Sequence, residues 1–183
     1  MVSQFISPYN VRLLGEIDFA FPRGIHAIGR LDNQSEGLLI LTTNKKITRL
    51  LFHPDKKHKR TYMVRVQRKV TDATLQELRN GVNFKIAGDI LYKAVPYAAE
   101  IVEHPGFTFD SPYFMNTYIE YTWLKITLTE GKYHQIRKMV AAVKHRCARL
   151  VRTSIEDLTL DDLQPGGVRE IPEDEFFGKL KLN

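Results

Sequence analysis

Residues 60–70, RTYMVRVQRKV, alternate along the chain. Tyr62, Val64 and Val66 fall on one side of an extended backbone, and Met63, Arg65 and Gln67 fall on the other. A period of two fits a pleated strand and no helix, so the chain must fold around a sheet that buries one side of this segment. Residues 24–31 and 37–43 read as short apolar strands. Residues 89–103 and 119–129 add more, with Leu124, Ile126 and Leu128 turned inward, and 147–153 and 157–160 close the series. Helical spacing is rarer. Ile47, Leu50 and Leu51 predict a helix that stops before Pro54. TDATLQELRNG predicts a second, capped by Thr71 and ended by Gly81. Ile136, Met139, Val140 and Val143 stand at i, i+3, i+4 and i+7, an amphipathic helix whose apolar stripe is most simply core. HPGFTFDSPYFMN, rich in proline, glycine and aromatics, reads as a long connection. Strands outnumber helices in mixed order, so the expected class is α+β: a mixed, mostly antiparallel sheet with flanking helices.

The chain has 183 residues, 43% hydrophobic and 26% charged, which suits a single unit over 1–183, built as one core or as two sublobes sharing one. No apolar run approaches the roughly 18 residues of a membrane span. The opening MVSQFISPYNVR has neither a basic leader nor a small-residue cleavage site, so a cytoplasmic protein is expected. Cys147 is the single cysteine, which excludes an internal disulfide and a multi-cysteine metal site.

The net charge of +6 is unevenly spread. Between Gly37 and Thr71 Asp55 is the one acid, against Lys45, Lys46, Arg49, Lys56, Lys57, Lys59, Arg60, Arg65, Arg68 and Lys69. Between Gly131 and Ile155 there is no acid, while Lys132, Arg137, Lys138, Lys144, Arg146, Arg149 and Arg152 are all present. Two one-signed blocks point to a polyanion partner, with an ordinary solvated face as the plain alternative. Neither block is a basic amphipathic helix with a bulky apolar face, so nucleic acid is favoured over a membrane surface.

Metal binding is not expected, since the six histidines form no HxxxH or HxH pair beside a carboxylate or thiol. There is no serine elbow, no phosphate-cradling loop and no dinucleotide fingerprint, hence no sign of a cofactor. Three residues remain. Asp32 lies in a turn between two apolar strands, Tyr62 lies on the basic strand, and Arg137 lies on the strongest helix. A buried carboxylate needs a fixed cation, and the planar fork of arginine meets both its oxygens. A tyrosine offers a ring to stack on a base and a hydroxyl to exchange a proton. Spacing alone leaves each with a dull reading as well: turn aspartate, half-buried strand tyrosine, surface arginine.

At these residues the sequence resembles the pseudouridine synthases, in particular the bacterial ribosomal-RNA branch (the Rsu/Rlu family) and its RluE-like members. GRLDNQSEGLLILTTN is similar to that branch's GRLDxx(S/T)xGLLxLT(N/D) signature, which puts the catalytic aspartate at Asp32. HKRTYMVRV resembles its KxY strand, with Tyr62 as the active-site tyrosine. EGKYHQIRKM resembles the EGRxxQ(I/V)R(R/K)M motif, with Arg137 as the arginine that pairs with the aspartate. RLVRTSIEDLTLDDLQPGGVREI resembles the closing segment, with Leu150 lining the pocket. The departures are Lys132 for the usual arginine and Val168 for a usual aromatic; neither the family's opening KPx(G/N) strand nor the separate small RNA-binding domain of many relatives is expected in this chain.

The resemblance implies a pseudouridine synthase fold around a central RNA-binding cleft, acting as a monomer and without cofactor. The implied reaction turns a uridine of RNA, by implication of large-subunit ribosomal RNA, into pseudouridine. Asp32 then acts on ribose or base, Arg137 holds it, and Tyr62 stacks on the uracil. Arg30, Leu150, Lys132, Gln135 and Lys138 become candidate substrate contacts, with Arg30 suited to fill the gap left by a flipped nucleotide, or equally to meet a backbone phosphate. Two other classes compete. A non-catalytic RNA-binding or ribosome-assembly protein needs no carboxylate near RNA, and an RNA hydrolase usually requires a second carboxylate or a metal.

Overall fold

The computed structural model describes residues 1–183 except 54, 108, 112–115 and 183. In chain order the elements are β1 (His26–Ile28), β2 (Glu36–Gly37), β3 (Ile40–Thr42), α1 (Lys46–Leu51), β4 (Arg60–Gln67), α2 (Asp72–Asn80), β5 (Val82–Lys85), β6 (Leu91–Ala94), β7 (Ala98–Val102), β8 (Tyr121–Leu128), α3 (Gln135–Ala142), β9 (Cys147–Ile155), β10 (Leu158–Thr159) and α4 (Glu173–Leu180). Short 3₁₀ turns cover Leu14–Glu16 and Ala87–Asp89. The main sheet runs β10-β9-β4-β8-β7, with β2 added in parallel to β9; β1–β3 and β5–β6 are separate antiparallel pairs.

The alternating segment is the centre of the sheet. In β4, Val64 and Val66 are fully buried, Val64 opposite Leu124 of β8 and Leu150 of β9. On that face Leu75 and Leu78 of α2, Ile136, Met139 and Val140 of α3, and Val82 and Phe84 of β5 complete one apolar cluster. A second cluster joins Ile28, Leu38, Ile40, Ile47 and Leu51 to Val151, Ile155 and Leu180. Leu150 belongs to the first and Val151 to the second, so β9 is buried on both faces. The residues predicted as the stripe of α3 are all buried. Thr71 caps α2 through Oγ1, which accepts from the Thr74 N–H at 3.2 Å, and Gly81 ends it at φ 91°.

The structure departs from the sequence expectation in four places. The apolar run 37–43 is not one strand: β2 pairs with β9, and the chain then turns so that β3 pairs with β1. The run 89–103 breaks at Pro96, which cannot donate to a ladder, so β6 and β7 enter different sheets. Strand β5 follows the end of α2 directly and is too short to display a period. Helix α4 lies in a strongly charged stretch, and the residue it buries is Leu180. The expected connection over 104–116 is irregular where it is described; residues 108 and 112–115 of it lie outside the described residues. No helix among the described residues is long and apolar enough to cross a membrane.

Candidate active site

Asp32 leaves the β1–β3 hairpin on a loop held at both ends. Before it, Ser3 Oγ accepts the Leu31 N–H at 2.9 Å and donates to the Leu31 carbonyl at 3.2 Å. After it, the Ser35 N–H closes a turn onto the Asp32 carbonyl at 2.8 Å. The chain then enters β2, where Gly37 faces Arg152 of β9 in register. A Cβ on Gly37 would stand 2.2 Å from the Arg152 carbonyl oxygen, and φ is 104°, so glycine is required for this approach. The carboxylate of Asp32 is one-third exposed, and its Oδ1 lies 3.8 Å from His134 Nε2. His134 precedes α3 in a left-handed conformation, φ 53° and ψ 30°, and stacks on the exposed Tyr133 ring at 3.9 Å. Such backbone strain is retained where the surroundings over-determine it, often at functional sites.

Arg137 rises from the first turn of α3 and donates through Nη2 to the backbone carbonyl of Gln34. Among the described residues it forms no ion pair with Asp32; it grips the aspartate's loop through a peptide group instead. Its charge also reaches Cys147, whose thiol burial pushes up and Arg137 opposes.

Tyr62 is half-buried on β4, packed on the larger cluster, and is the register partner of Arg152. Burial pushes the Arg152 guanidinium below its ordinary value, with Tyr62 and Asp32 opposing the shift and Arg60 adding to it. Tyr62 and the strand leaving the Asp32 loop thus both lie against one arginine. Arg60, half-buried, is held by the carbonyls of His58 and Leu51 at 3.3 and 3.4 Å.

The loop ahead of α3 is braced from beneath. Gln135 is buried; its Nε2 donates to Glu130 at 2.6 Å and its Oε1 accepts the Lys132 N–H at 2.8 Å. Tyr92 donates its hydroxyl to the other Glu130 oxygen. Gln135, expected at the substrate, therefore has its amide engaged within the protein. Lys138 donates to the Lys85 carbonyl at 2.9 Å, Lys132 is exposed with its ammonium 5.3 Å from the Tyr92 ring, Arg30 is exposed, and Leu150 is buried in the core.

The second basic block is less of a surface than its composition suggests. Arg149 is 5% exposed and forms a two-pronged pair with Glu36, at 3.0 and 2.9 Å. It also donates to the carbonyls of Phe109 and Asp110 and lies over the rings of Phe107 and Phe109. Arg152 and His145 are internal too, His145 bonding the Gln67 carbonyl at 2.9 Å. Charge counting along the chain overlooked these roles, as it did the place of His134 beside Asp32. No group of three His, Cys, Asp or Glu side chains among the described residues could hold a metal ion.

Comparison with known proteins identifies the family. Residues 16–142 match the family model for RNA pseudouridylate synthase. Over 155 residues the chain is 39% identical to ribosomal large subunit pseudouridine synthase E of Vibrio vulnificus (strain CMCP6), covering 84% of this chain and 64% of that protein. Over 150 residues it is 35% identical to the protein of the same name from Xanthomonas axonopodis pv. citri (strain 306), covering 81% of this chain and 76% of that one. A crystal structure of a pseudouridylate synthase shares the fold, with a TM-score of 0.68 at 23% identity over 92% of this chain and 65% of that one. The chain spans less than two thirds of the length of the Vibrio relatives. The chain belongs to the RNA pseudouridylate synthase family.

Proposed function

We propose that this protein converts a specific uridine of large-subunit ribosomal RNA into pseudouridine, as a monomer in the cytoplasm and without a cofactor. The observation that carries the reading is convergence. Asp32, Tyr62 and Arg137 come from a loop, a strand and a helix, yet Tyr62 and the strand leaving the Asp32 loop both pair in register with Arg152 while Arg137 holds the Asp32 loop. The large-subunit assignment rests on the names of the Vibrio and Xanthomonas relatives.

The reaction breaks the bond from ribose to base nitrogen, turns the uracil, and forms a bond from ribose to a ring carbon. That carbon loses its proton and the freed nitrogen gains one, so atoms balance and no electrons are gained or lost. Asp32 supplies the carboxylate that acts on ribose or base. Arg137 fixes the loop that carries it, and fixing a reacting group is a large part of such catalysis. Tyr62 presents a ring for the uracil to stack on and a hydroxyl near the departing proton. Arg30 and Lys132, both exposed near the site's two loops, meet the RNA backbone and the space left by the flipped base.

The test uses ribosomal RNA transcripts tritiated at the uracil ring carbon that forms the new bond. Release of tritium from one position supports the reading. RNA binding without release would favour a non-catalytic RNA-binding protein.

A further inference from the structure

Arg152 sits where the two halves of the site meet, and the reaction described above gives it no task. On β9 it is the register partner of Gly37 in β2 and of Tyr62 in β4. Its carbonyl accepts the Leu38 N–H at 2.8 Å, and its Nε donates to the Leu38 carbonyl at 2.8 Å. The strand leaving the Asp32 loop is therefore clasped by one residue through backbone and side chain together. The same side chain stands opposite Tyr62 across the β4–β9 ladder, and the charge of Asp32 acts on it. It is only 6% exposed, and its Nη2 is buried with no partner among the described residues.

Stability does not account for such a side chain. A buried guanidinium next to a second arginine, with one donor unmet, costs more than a well-packed apolar residue of similar volume. Unsatisfied buried groups in folded proteins call for a reason, and here the site supplies one.

We infer that Arg152 is a positioning residue for the uridine isomerisation, locking the Tyr62 side chain and the base of the Asp32 loop to a single strand so that both face one nucleotide. The inference rests on the proposed pseudouridine synthase activity. Arg152 does not touch the substrate; it fixes the separation of the two groups that do. Losing it loosens that separation while the RNA-contacting surface stays intact.

The test compares the parent with Arg152→Met and Arg152→Lys in single-turnover tritium release, RNA affinity and thermal midpoint. Arg152→Met should hold the RNA Kd within about threefold and lower the rate constant roughly 10²-fold, as small misplacements of reacting groups do. Arg152→Lys keeps the charge but cannot span Leu38 and Tyr62 together, and should fall between. Folded Arg152→Met protein working within about threefold of the parental rate overturns the inference, as does a rate loss matched by an equal loss of RNA affinity. If Arg152→Met does not fold, a cycle of Arg152→Lys with Tyr62→Phe decides. Losses that overlap support a role through Tyr62, and additive losses overturn it. A parent protein that releases no tritium overturns the proposed activity, and this inference with it.

Discussion

Arg137 donates from α3 to the backbone carbonyl of Gln34, two residues beyond Asp32. A helix side chain thereby fixes a loop by a peptide group and leaves the carboxylate's own ion-pairing distance to His134. The arginine acts on the aspartate by geometry first.

Arg137→Ala should accordingly slow single-turnover conversion by roughly 10²-fold, since it frees the loop that aims Asp32. Arg137→Lys can still reach a carbonyl with a single donor but loses the planar fork, and should lose less. Equilibrium binding of RNA should barely change in either variant. Equal losses of binding and rate would reduce Arg137 to a phosphate contact.

The Glu36–Arg149 pair makes the opposite prediction. Arg149 is buried and Glu36 only 13% exposed, so Glu36→Ala strands a guanidinium and should cost about 3–5 kcal/mol in urea unfolding. Arg149→Glu should be as damaging to folding, because it places two carboxylates together beneath the Phe107 and Phe109 rings. A variant of Arg149 that weakened RNA binding at unchanged stability would contradict this.

Exposed cations should behave differently. Arg30→Glu and Lys132→Glu should leave the thermal midpoint unchanged, because neither side chain is buried. Each lost phosphate contact should flatten the log–log dependence of RNA affinity on salt by about 0.7. Titrations at several salt concentrations measure that slope directly.

Tyr92 adds a pH dependence. Its hydrogen bond to Glu130 holds the phenol's proton, raising its pKa from 10.0 to about 12. Because the folded value lies above the ordinary one, the bond's stabilisation is complete below pH 10.0 and is lost as pH climbs through about 12. In spectrophotometric alkaline titration the highest tyrosine transition should disappear in Tyr92→Phe. An unchanged titration curve would remove Tyr92 from the support of the α3 loop.

Much of the fold could be read from periodicity. The alternation of Tyr62, Val64 and Val66 gave β4 its buried face, and the stripe of Ile136, Met139, Val140 and Val143 gave α3 its orientation. Strand β5 and helix α4 were hidden because four residues are too few for a period and one buried leucine makes no stripe. The loop position of Asp32 was legible from its turn residues, but its clasp was not. Gln34 offers a backbone carbonyl, which carries no sequence signal, and Glu36 finds Arg149 across 113 residues. Charge density along a chain does not tell which arginines point inward; Arg149 and Arg152 lie in a basic block and face the interior.

The central claim is that Asp32 does the chemistry, and Asp32→Asn tests it most directly. The substitution keeps size and hydrogen-bonding capacity, and the contact it alters, a partly exposed 3.8 Å approach to His134, contributes little to folding. Purified Asp32→Asn protein should fold with a thermal midpoint close to the parent's, bind ribosomal RNA transcript with parental affinity, and release no tritium from the uracil ring carbon. Measurable turnover by that variant would contradict the account.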